Sequence, residues 1–438
     1  MERPSRYLGG EVNSVRKDPR GVRIKVALAF PDLYEVGMSH QGIRILYHLL
    51  NAEPGVMAER AFTPWTDCAD LLEARGYPLS SLESRRPLKD FDILGFSLLY
   101  ELSFTNVLKM LSLSGIPLKA AERDESWPLV IAGGPCAMNP EPLAPFLDAI
   151  ALGDGEALFL DILRAHESWR EGGGDKDELL DLLEAIPGLY IPSRFRVDYT
   201  SHGTVQRVEH IREPGRRVHR RFLEELEEAP YPEREIVPFA EVIHDRLTLE
   251  VQRGCTRGCR FCHAGMVYRP VRERSAQRVR DLLLENLRAT GYEEVALSSL
   301  SLSDWGPLRT FLPELMEELA KTCTSLSLPS LRVGILEPEL LSALARVRRS
   351  GFTLAPEAGT ERLRKVINKG WREEELLEDV RRVLSAGWDK LKLYFMVGLP
   401  TEREEDVQAI LGLSRRLLSL REGGRRIRTL GLSLSPFV

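Results

Sequence analysis

Residues 247–262 read LTLEVQRGCTRGCRFC, in which a strand-like stretch of alternating apolar and polar residues runs directly into a cysteine motif. Side chains alternate between the two faces of a strand, so this pattern predicts one buried face and one polar face. The cysteines have the spacing C-x3-C-x2-C and are Cys255, Cys259 and Cys262. A motif that follows a strand lies at the carboxyl end, where barrel active sites are found.

Strand-like and helical segments alternate from this point to the end of the chain. The predicted strands lie near 247–252, 293–299, 329–335, 351–357, 390–397 and 429–435. Six such units predict a partial (β/α)6 barrel over residues 246–438. The sequence stops just after the sixth strand, so we expect that a further segment, or a partner domain or chain, completes the barrel.

The polar faces of these strands carry charged residues, whereas the core of a closed barrel is normally filled by branched apolar side chains. These residues are Glu250, Arg332, Glu357 and Lys392. The pattern favours a cavity for a polar ligand over simple pairing of the charges. Glu250, Glu357 and Lys392 are candidate acids or bases because of the face on which they lie.

The first part of the chain also alternates strands with helices, which predicts a doubly wound parallel α/β domain over residues 1–170. Residues 171–245 differ, because they combine a triple glycine with the basic run Arg212–Arg221 and an acidic run. We predict a linker or small subdomain there. The basic run is expected to be solvated surface, with contact to RNA as the alternative.

Composition is that of a globular protein, because 43% of the 438 residues are hydrophobic and 29% are charged. The net charge of −5 gives no general attraction to nucleic acids or anionic membranes. The sequence shows no signal peptide and no apolar run that could span a bilayer, so a cytoplasmic protein is expected.

Three thiolates within eight residues can bind three irons of a [4Fe–4S] cubane and leave the fourth iron open to another ligand. Zinc is the alternative, but structural zinc sites use four ligands and no second cysteine pair is present. His263 directly follows Cys262, which makes joint chelation strained. The other cysteines are expected to be small buried residues, and they are Cys68, Cys136 and Cys323.

The cysteine segment, with Phe261 before its third cysteine, resembles the signature of the radical S-adenosylmethionine (SAM) superfamily. This resemblance implies a [4Fe–4S] cluster whose open iron binds SAM, and an external electron donor of the flavodoxin or ferredoxin type. It implies that an electron from the cluster cleaves SAM to a 5′-deoxyadenosyl radical.

Further segments extend the resemblance over residues 247–438. Residues 354–363 resemble the fourth-strand segment near the SAM ribose and carboxylate, and 396–402 resemble the segment near adenine. Residues 298–303 occupy the position of the second-strand motif that binds the SAM amino group. The cofactor-binding residues implied by these matches are Phe261, Ser301, Ser303, Glu357, Arg362, Gly398 and Pro400.

The segment 31–40 and the turn Gly133-Gly134-Pro135, placed before such a barrel, resemble the cobalamin-binding type of radical SAM protein. The resemblance implies a corrinoid over the carboxyl edge of the first sheet, near Gly133 and Gly134. The Asp-x-His-x-x-Gly motif that supplies a cobalt ligand is absent, and His40 is the histidine of the corresponding loop.

The leading hypothesis is therefore a radical SAM enzyme, with methylation of an unactivated carbon if cobalamin is bound. Without cobalamin, hydrogen abstraction followed by rearrangement or sulfur insertion is expected. An iron–sulfur factor that binds nucleic acid or senses redox state, without SAM turnover, is the alternative from another class. The polar strand faces admit an anionic substrate such as a nucleotide or RNA.

Overall fold

The computed structural model describes residues 1–329, 331–334, 336, 338, 341 and 352–438. The chain forms two compact units, Met1–Glu224 with Glu228–Asp245, and Glu225–Glu227 with Arg246–Val438. The first unit includes most of the segment 171–245 for which a linker is predicted. Within the residues just given, no helix combines the length and the apolar character needed to cross a membrane.

The first unit is built on a six-stranded sheet. Its strands are β1 Ile24–Phe30, β2 Val56–Phe62, β3 Ile93–Ser97, β4 Leu129–Gly133, β5 Ala149–Ala151 and β6 Leu189–Tyr190. Their order is β2-β1-β3-β4-β5-β6, and only β6 runs antiparallel to its neighbour. The order reverses at β1 and β3, and sheets of this type bind ligands at the carboxyl ends of such strands.

Helices cover both faces of this sheet, as a parallel sheet requires. The α-helices are Tyr34–Gly37, Gln41–Ala52, Thr66–Arg75, Phe104–Leu113, Gly155–Gly172 and Lys176–Glu184. The 3-10 helices are Pro4–Tyr7, Pro19–Gly21, Leu88–Asp90, Glu101–Ser103, Ala120–Glu122, Pro135–Met138, Ala144–Phe146 and Pro192–Arg194. Val26 and Leu28 pack in one apolar cluster and Ala27 in another, so alternate residues of β1 enter opposite halves of the core. The predicted doubly wound α/β fold is confirmed.

A two-stranded antiparallel hairpin follows the last helix of this unit. It consists of β7 Phe195–Tyr199 and β8 Val205–His210. The ring of Phe195 lies 4.6 Å from that of Tyr190 and 5.0 Å from that of His210, measured between centroids. These aromatic contacts attach the hairpin to the end of the sheet.

The second unit contains two three-stranded parallel sheets and one short hairpin. One sheet has the order β13-β12-β9, the other β14-β15-β16, and β10 pairs with β11. The strands are β9 Leu247–Glu250, β10 Gln252–Arg253, β11 Arg272–Glu273, β12 Glu294–Ser298, β13 Ser325–Ser327, β14 Phe352–Glu357, β15 Lys390–Val397 and β16 Thr429–Pro436. The helices are Ala264–Val267, Ala276–Thr290, the 3-10 helix Leu302–Asp304, Leu308–Lys321, Glu361–Val366, Glu373–Ser385 and Glu404–Ser419. In the described residues, helices separate β9 from β12, β12 from β13, β14 from β15 and β15 from β16, all of them strands of parallel sheets, and this confirms the predicted partial barrel class.

The third strand differs from the prediction. It is Ser325–Ser327, paired in parallel with β12, whereas 331–334 form no strand and Gly334 has a φ of +91°. Positive φ is incompatible with a strand, and Pro329 has no N–H for a ladder. Residues 330, 335 and 351 of the predicted strands lie outside the described residues.

Burial follows the predicted alternation on β15, where Leu391 and Leu393 are buried and Lys392 is exposed. The prediction that all three isolated cysteines are buried is wrong for Cys323. Cys323 is exposed and has a φ of +53° in the turn after Leu308–Lys321. This left-handed turn ends the helix.

Candidate active site

A tight loop carries the three cysteines between β10 and the helix Ala264–Val267. Gly254 and Gly258 have φ values of +91° and +67°, which favour glycine. A Cβ atom on Gly254 would lie 2.5 Å from Pro270 O and 2.6 Å from Tyr268 O. The loop therefore turns where only glycine fits, and all three of its cysteines are half-buried.

The Cys259 thiol lies close enough to the other two cysteines for their charges to affect its ionisation. Burial raises the pKa of Cys259, and the charges of Cys262 and Cys255 raise it further, whereas Lys369 lowers it. Gly265 N donates to Cys262 Sγ at 3.3 Å. Three sulfur donors outside any disulfide fit an iron–sulfur cluster. Three Cys, His, Asp or Glu side chains suited to a single metal ion were not found among the described residues. In a cubane each thiolate binds its own iron.

Residues 367–369, from a later part of the chain, contact the cysteine loop. Arg260 N donates to Ile367 O at 3.0 Å. The side-chain amide of Asn368 donates to Gly258 O at 2.9 Å and to the preceding carbonyl oxygen at 3.2 Å. Asn368 has a φ of +56°, which asparagine tolerates better than most residues. The conformation of the cysteine loop thus depends on a segment more than 100 residues later in the chain.

The variant Asn368→Gly is expected to loosen the cysteine loop without straining the backbone, because glycine adopts positive φ freely. It removes two hydrogen bonds, each contributing about 0.5–1.5 kcal/mol, so backbone amides of 256–260 should exchange about tenfold faster. Hydrogen exchange followed by mass spectrometry measures this rate. Gly370→Ala is the control, because nothing lies within 4 Å of its added Cβ. Equal exchange in the wild type and Asn368→Gly would contradict the prediction.

Lys369 links the end of β14 to this loop. Glu357, the last residue of the strand, has a φ of +69°, and such strained residues cluster at functional sites. Lys369 Nζ lies 3.3 Å from Glu357 Oε1 and 5.8 Å from the ring centroid of Phe261. Burial raises the pKa of Glu357, and Lys369 opposes this shift. The apolar cluster around Phe261 includes Ala358, Leu363, Ile367 and Leu399.

The structure brings the predicted residues Arg362 and Gly398 to neighbouring turns. Gly398 follows β15 with a φ of +92°, and its N–H donates to Glu402 Oε2 at 2.5 Å. Arg362 Nη2 donates to Thr401 O at 2.9 Å. Pro400 is exposed between them. The ends of β14 and β15 are therefore joined by direct hydrogen bonds.

The two predicted serines are already engaged by protein groups. Ser301 Oγ donates to Asp304 Oδ2 at 2.7 Å, and Ser303 Oγ accepts from Arg332 N at 2.9 Å. Asp304 also pairs with Arg257 of the cysteine loop. The second-strand loop therefore supports the cysteine loop through an ion pair, and the role of either serine toward SAM stays a prediction.

The other two acid–base candidates lie in different surroundings from Glu357. Glu250 accepts two hydrogen bonds from Arg253, at 2.9 and 2.8 Å. Lys392 is exposed on β15 with its Nζ 4.8 Å from the Tyr394 ring centroid. Their predicted catalytic role is untested, and Glu357 is the candidate that is linked to the cysteine loop, through Lys369.

In the first unit, His40 caps the helix Gln41–Ala52, since its Nδ1 accepts from Ile43 N at 3.4 Å. Burial lowers the pKa of His40 to about 4, and Arg44 contributes to this shift. His40 is therefore neutral at pH 7, with one ring nitrogen committed to the helix. Its proposed role toward a corrinoid stays a prediction.

Gly133 ends β4, and Gly134 follows with a φ of +112°. A Cβ atom on Gly134 would lie 2.5 Å from Leu98 O. The glycine pair thus allows the turns after β3 and β4 to approach each other. A corrinoid contact at these glycines stays a prediction as well.

Sequence reasoning missed four residues of the second unit that connect its turns, namely Asp304, Asn368, Lys369 and Asp406. Lys369 follows the C-terminal end of the helix Glu361–Val366, and such a position normally lies away from the strand carboxyl ends, so the sequence did not indicate its place at the site. The role of Asp406 depends on partners from another strand-end turn, so no local pattern indicates it.

Comparison with protein families gives two matches. Residues 42–192 match the model described as "Radical SAM proteins, N-terminal", and residues 249–413 match the "Radical SAM superfamily". Together they cover more than half of the chain.

Two relatives differ in the extent of their match. The uncharacterised protein MJ0966 of Methanocaldococcus jannaschii is 26% identical over 417 residues, which cover 94% of this chain and 77% of the relative. The threonylcarbamoyladenosine tRNA methylthiotransferase MtaB of Aquifex aeolicus is 28% identical over 203 residues. That match covers 43% of this chain, and the chain spans 48% of that enzyme's length.

Among solved structures, the chain is similar to the radical SAM methyltransferase TsrM of Kitasatospora setae, described with cobalamin and a [4Fe–4S] cluster bound. The TM-score is 0.59 at 16% identity, over 94% of this chain and 74% of TsrM. This likeness shows a shared fold. The two family matches, together with the cysteine loop, establish that the chain belongs to the radical SAM superfamily.

Proposed function

We propose that this chain cleaves SAM reductively at a [4Fe–4S] cluster and uses the radical in cobalamin-dependent methylation of an unactivated carbon. The carrying observation is that the loop of Cys255, Cys259 and Cys262 also carries Phe261, whose ring centroid lies 5.8 Å from Lys369 Nζ, and that Lys369 pairs with Glu357. Three thiolates satisfy a cubane with one open iron. A flavodoxin or ferredoxin would deliver the electron.

When bound, the cluster supplies the electron that cleaves SAM and the open coordination position that holds it. The residues of this chain then provide binding and orientation. Phe261 offers an aromatic face for the adenine ring. Glu357 would accept hydrogen bonds from ribose hydroxyls, and Lys369, which pairs with it, would offer a positive charge to the SAM carboxylate.

The first unit suits cobalamin at the carboxyl edge of its sheet. Leu102 is 85% exposed in the turn after β3, and Leu99 and Tyr100 are also exposed, which gives an apolar surface where such sheets bind ligands. Tyr100 Oη donates to Asp32 in the turn after β1. Because His40 serves as a helix cap, we propose that cobalamin binds without a histidine ligand. Cobalamin would supply a methyl carrier.

The test is anaerobic reconstitution with iron and sulfide, followed by electron paramagnetic resonance (EPR) with and without SAM. We expect a reduced [4Fe–4S] signal that shifts on SAM addition, and 5′-deoxyadenosine under a strong reductant. Hydroxocobalamin should bind with a change in its visible spectrum. A cluster whose signal ignores SAM and that forms no 5′-deoxyadenosine would refute the proposal.

Sulfur insertion is a second candidate, supported by the match to the tRNA methylthiotransferase MtaB. The two reactions differ in what enters the product. SAM carrying a deuterated methyl group adds only that methyl in the first case, whereas methylthiolation adds sulfur as well. Mass spectrometry of a pool of small RNAs and nucleotides after reaction distinguishes these outcomes.

The alternative of a nucleic-acid-binding factor relied on the basic run Arg212–Arg221. In this run Arg212 pairs with Asp181, Arg216 with Glu184 and Arg221 with Asp161. Paired arginines offer less charge to phosphates than a free basic run would. This pairing favours the enzyme over the factor, and the SAM-dependent EPR shift separates the two.

A further inference from the structure

One buried carboxylate links the turn after β14 to the turn after β15. Asp406 lies in the first turn of the helix Glu404–Ser419 and is 3% exposed. Its oxygens accept from Thr360 Oγ1 and from Arg362 Nη2, both after β14. Arg403 N, after β15, donates to the same carboxylate at 2.9 Å.

The backbones of the two turns also touch at this point. Arg362 extends past Asp406 to donate to Thr401 O at 2.9 Å, and Thr401 has a φ of +66°. A Cβ atom on Gly359 would lie 2.5 Å from Asp406 O and 2.7 Å from Ile410 N. The close approach leaves no room for a side chain at position 359, so the two turns are fixed against each other.

The groups proposed to bind SAM lie on the same two turns. Glu357 precedes Gly359 by two residues, and Gly398 precedes Thr401 by three. Any change in the spacing of the turns would therefore move Glu357 relative to Gly398. Binding a rigid ligand between such groups requires their spacing to be set before the ligand arrives.

We infer that Asp406 is a positioning residue that holds the β14 and β15 turns in the spacing needed for SAM, without touching SAM itself. This inference rests on the proposed function. Burial opposes the charge on Asp406, but the hydrogen bonds from Thr360 and Arg362 outweigh it and hold the pKa of the carboxyl below its ordinary value. The Asp406 carboxylate is therefore charged at neutral pH.

The test compares Asp406→Asn with Glu405→Gln in the full chain, reconstituted with its cluster. Glu405 is an exposed acidic residue in the same helical turn, so its variant controls for the loss of charge near the helix N-terminus. We expect Asp406→Asn to weaken SAM binding about tenfold in an EPR titration, as for a charged hydrogen bond. Iron content should be unchanged. Glu405→Gln should bind SAM as the wild type does.

Hydrogen exchange gives a readout that does not need SAM. Residues 358–362 and 398–403 should both exchange faster in Asp406→Asn, and neither segment should change in Glu405→Gln. If Asp406→Asn lowers only the melting temperature while SAM affinity and exchange of the 358–362 turn stay as in the wild type, Asp406 is a helix cap and the inference fails. If the EPR signal of the wild type does not change with SAM, the proposed function fails. Hydrogen exchange then still decides whether Asp406 holds the two turns together.

A second variant covers the case in which Asp406→Asn does not fold. Arg362→Gln removes the bonds to Asp406 and Thr401 from a guanidinium that is 39% exposed. If Asp406 and Arg362 hold the two turns together, Arg362→Gln alone should raise exchange in both 358–362 and 398–403 and weaken SAM binding. Weaker SAM binding with normal exchange in both segments would instead assign Arg362 to direct SAM contact and overturn the inference.

Discussion

Replacing Cys259 by alanine is expected to abolish cluster binding and all formation of 5′-deoxyadenosine. A cubane with one open iron needs three thiolates, and two cannot hold it in place. Reconstituted wild type should contain about four irons per chain and Cys259→Ala fewer than about one. Iron and sulfide assays together with EPR measure this loss. Cys255→Ala and Cys262→Ala should behave alike.

Cys323→Ala is the matched control, because Cys323 is an exposed cysteine outside the motif. It should retain the full iron content and the same EPR signal. A Cys259→Ala protein that kept four irons would contradict the assignment of the ligands, as would loss of the cluster from Cys323→Ala.

Gly254→Ala is expected to prevent the cysteine loop from forming even though every cysteine remains. The φ of +91° is unfavourable for alanine by about 1–2 kcal/mol. The added Cβ would also lie 2.5 Å from Pro270 O and 2.6 Å from Tyr268 O. Both are backbone atoms that cannot rotate away, so the loop must shift. We expect iron content to fall to less than about half, because cluster geometry depends on ligand placement.

Gly258→Ala separates the effect of positive φ on iron content from the effect of the steric clash. Gly258 also has positive φ, but its added Cβ would meet only the ends of flexible side chains, Asn368 Nδ2 at 3.4 Å and Arg269 Nη2 at 3.7 Å. It should therefore bind clearly more iron than Gly254→Ala. Equal iron contents in the two variants would show that the clash with the Pro270 and Tyr268 carbonyl oxygens is unimportant.

Strand β2 shows why part of the first fold could not be predicted. Its sequence VMAERAF contains Glu59 and Arg60, which break the apolar pattern, yet both are buried. Arg60 pairs there with Glu11 and Glu83, residues distant in sequence. Local periodicity does not indicate such pairing. The mainly apolar strands β1, β3 and β4 are easier to recognise in the sequence, because parallel strands buried on both faces are apolar along most of their length.

The candidate site was predictable where one segment carries the chemistry. The cysteine spacing and the position of Glu357 at a strand end were both predicted from the sequence. Asn368 and Asp406 were missed because their partners come from distant segments. Their roles arise only when the chain is folded.

The bonds from Asn368 to the cysteine loop span about a quarter of the chain, with a separation of 110 residues from Gly258. During synthesis the three cysteines emerge long before the residue that fixes their loop. A nascent chain therefore exposes its thiols in an unformed loop until β14 and the following helix have been made. We therefore expect the cluster to be inserted after Asn368 has been synthesised. A bound cluster would then indicate that the segment around Asn368 has folded onto the cysteine loop.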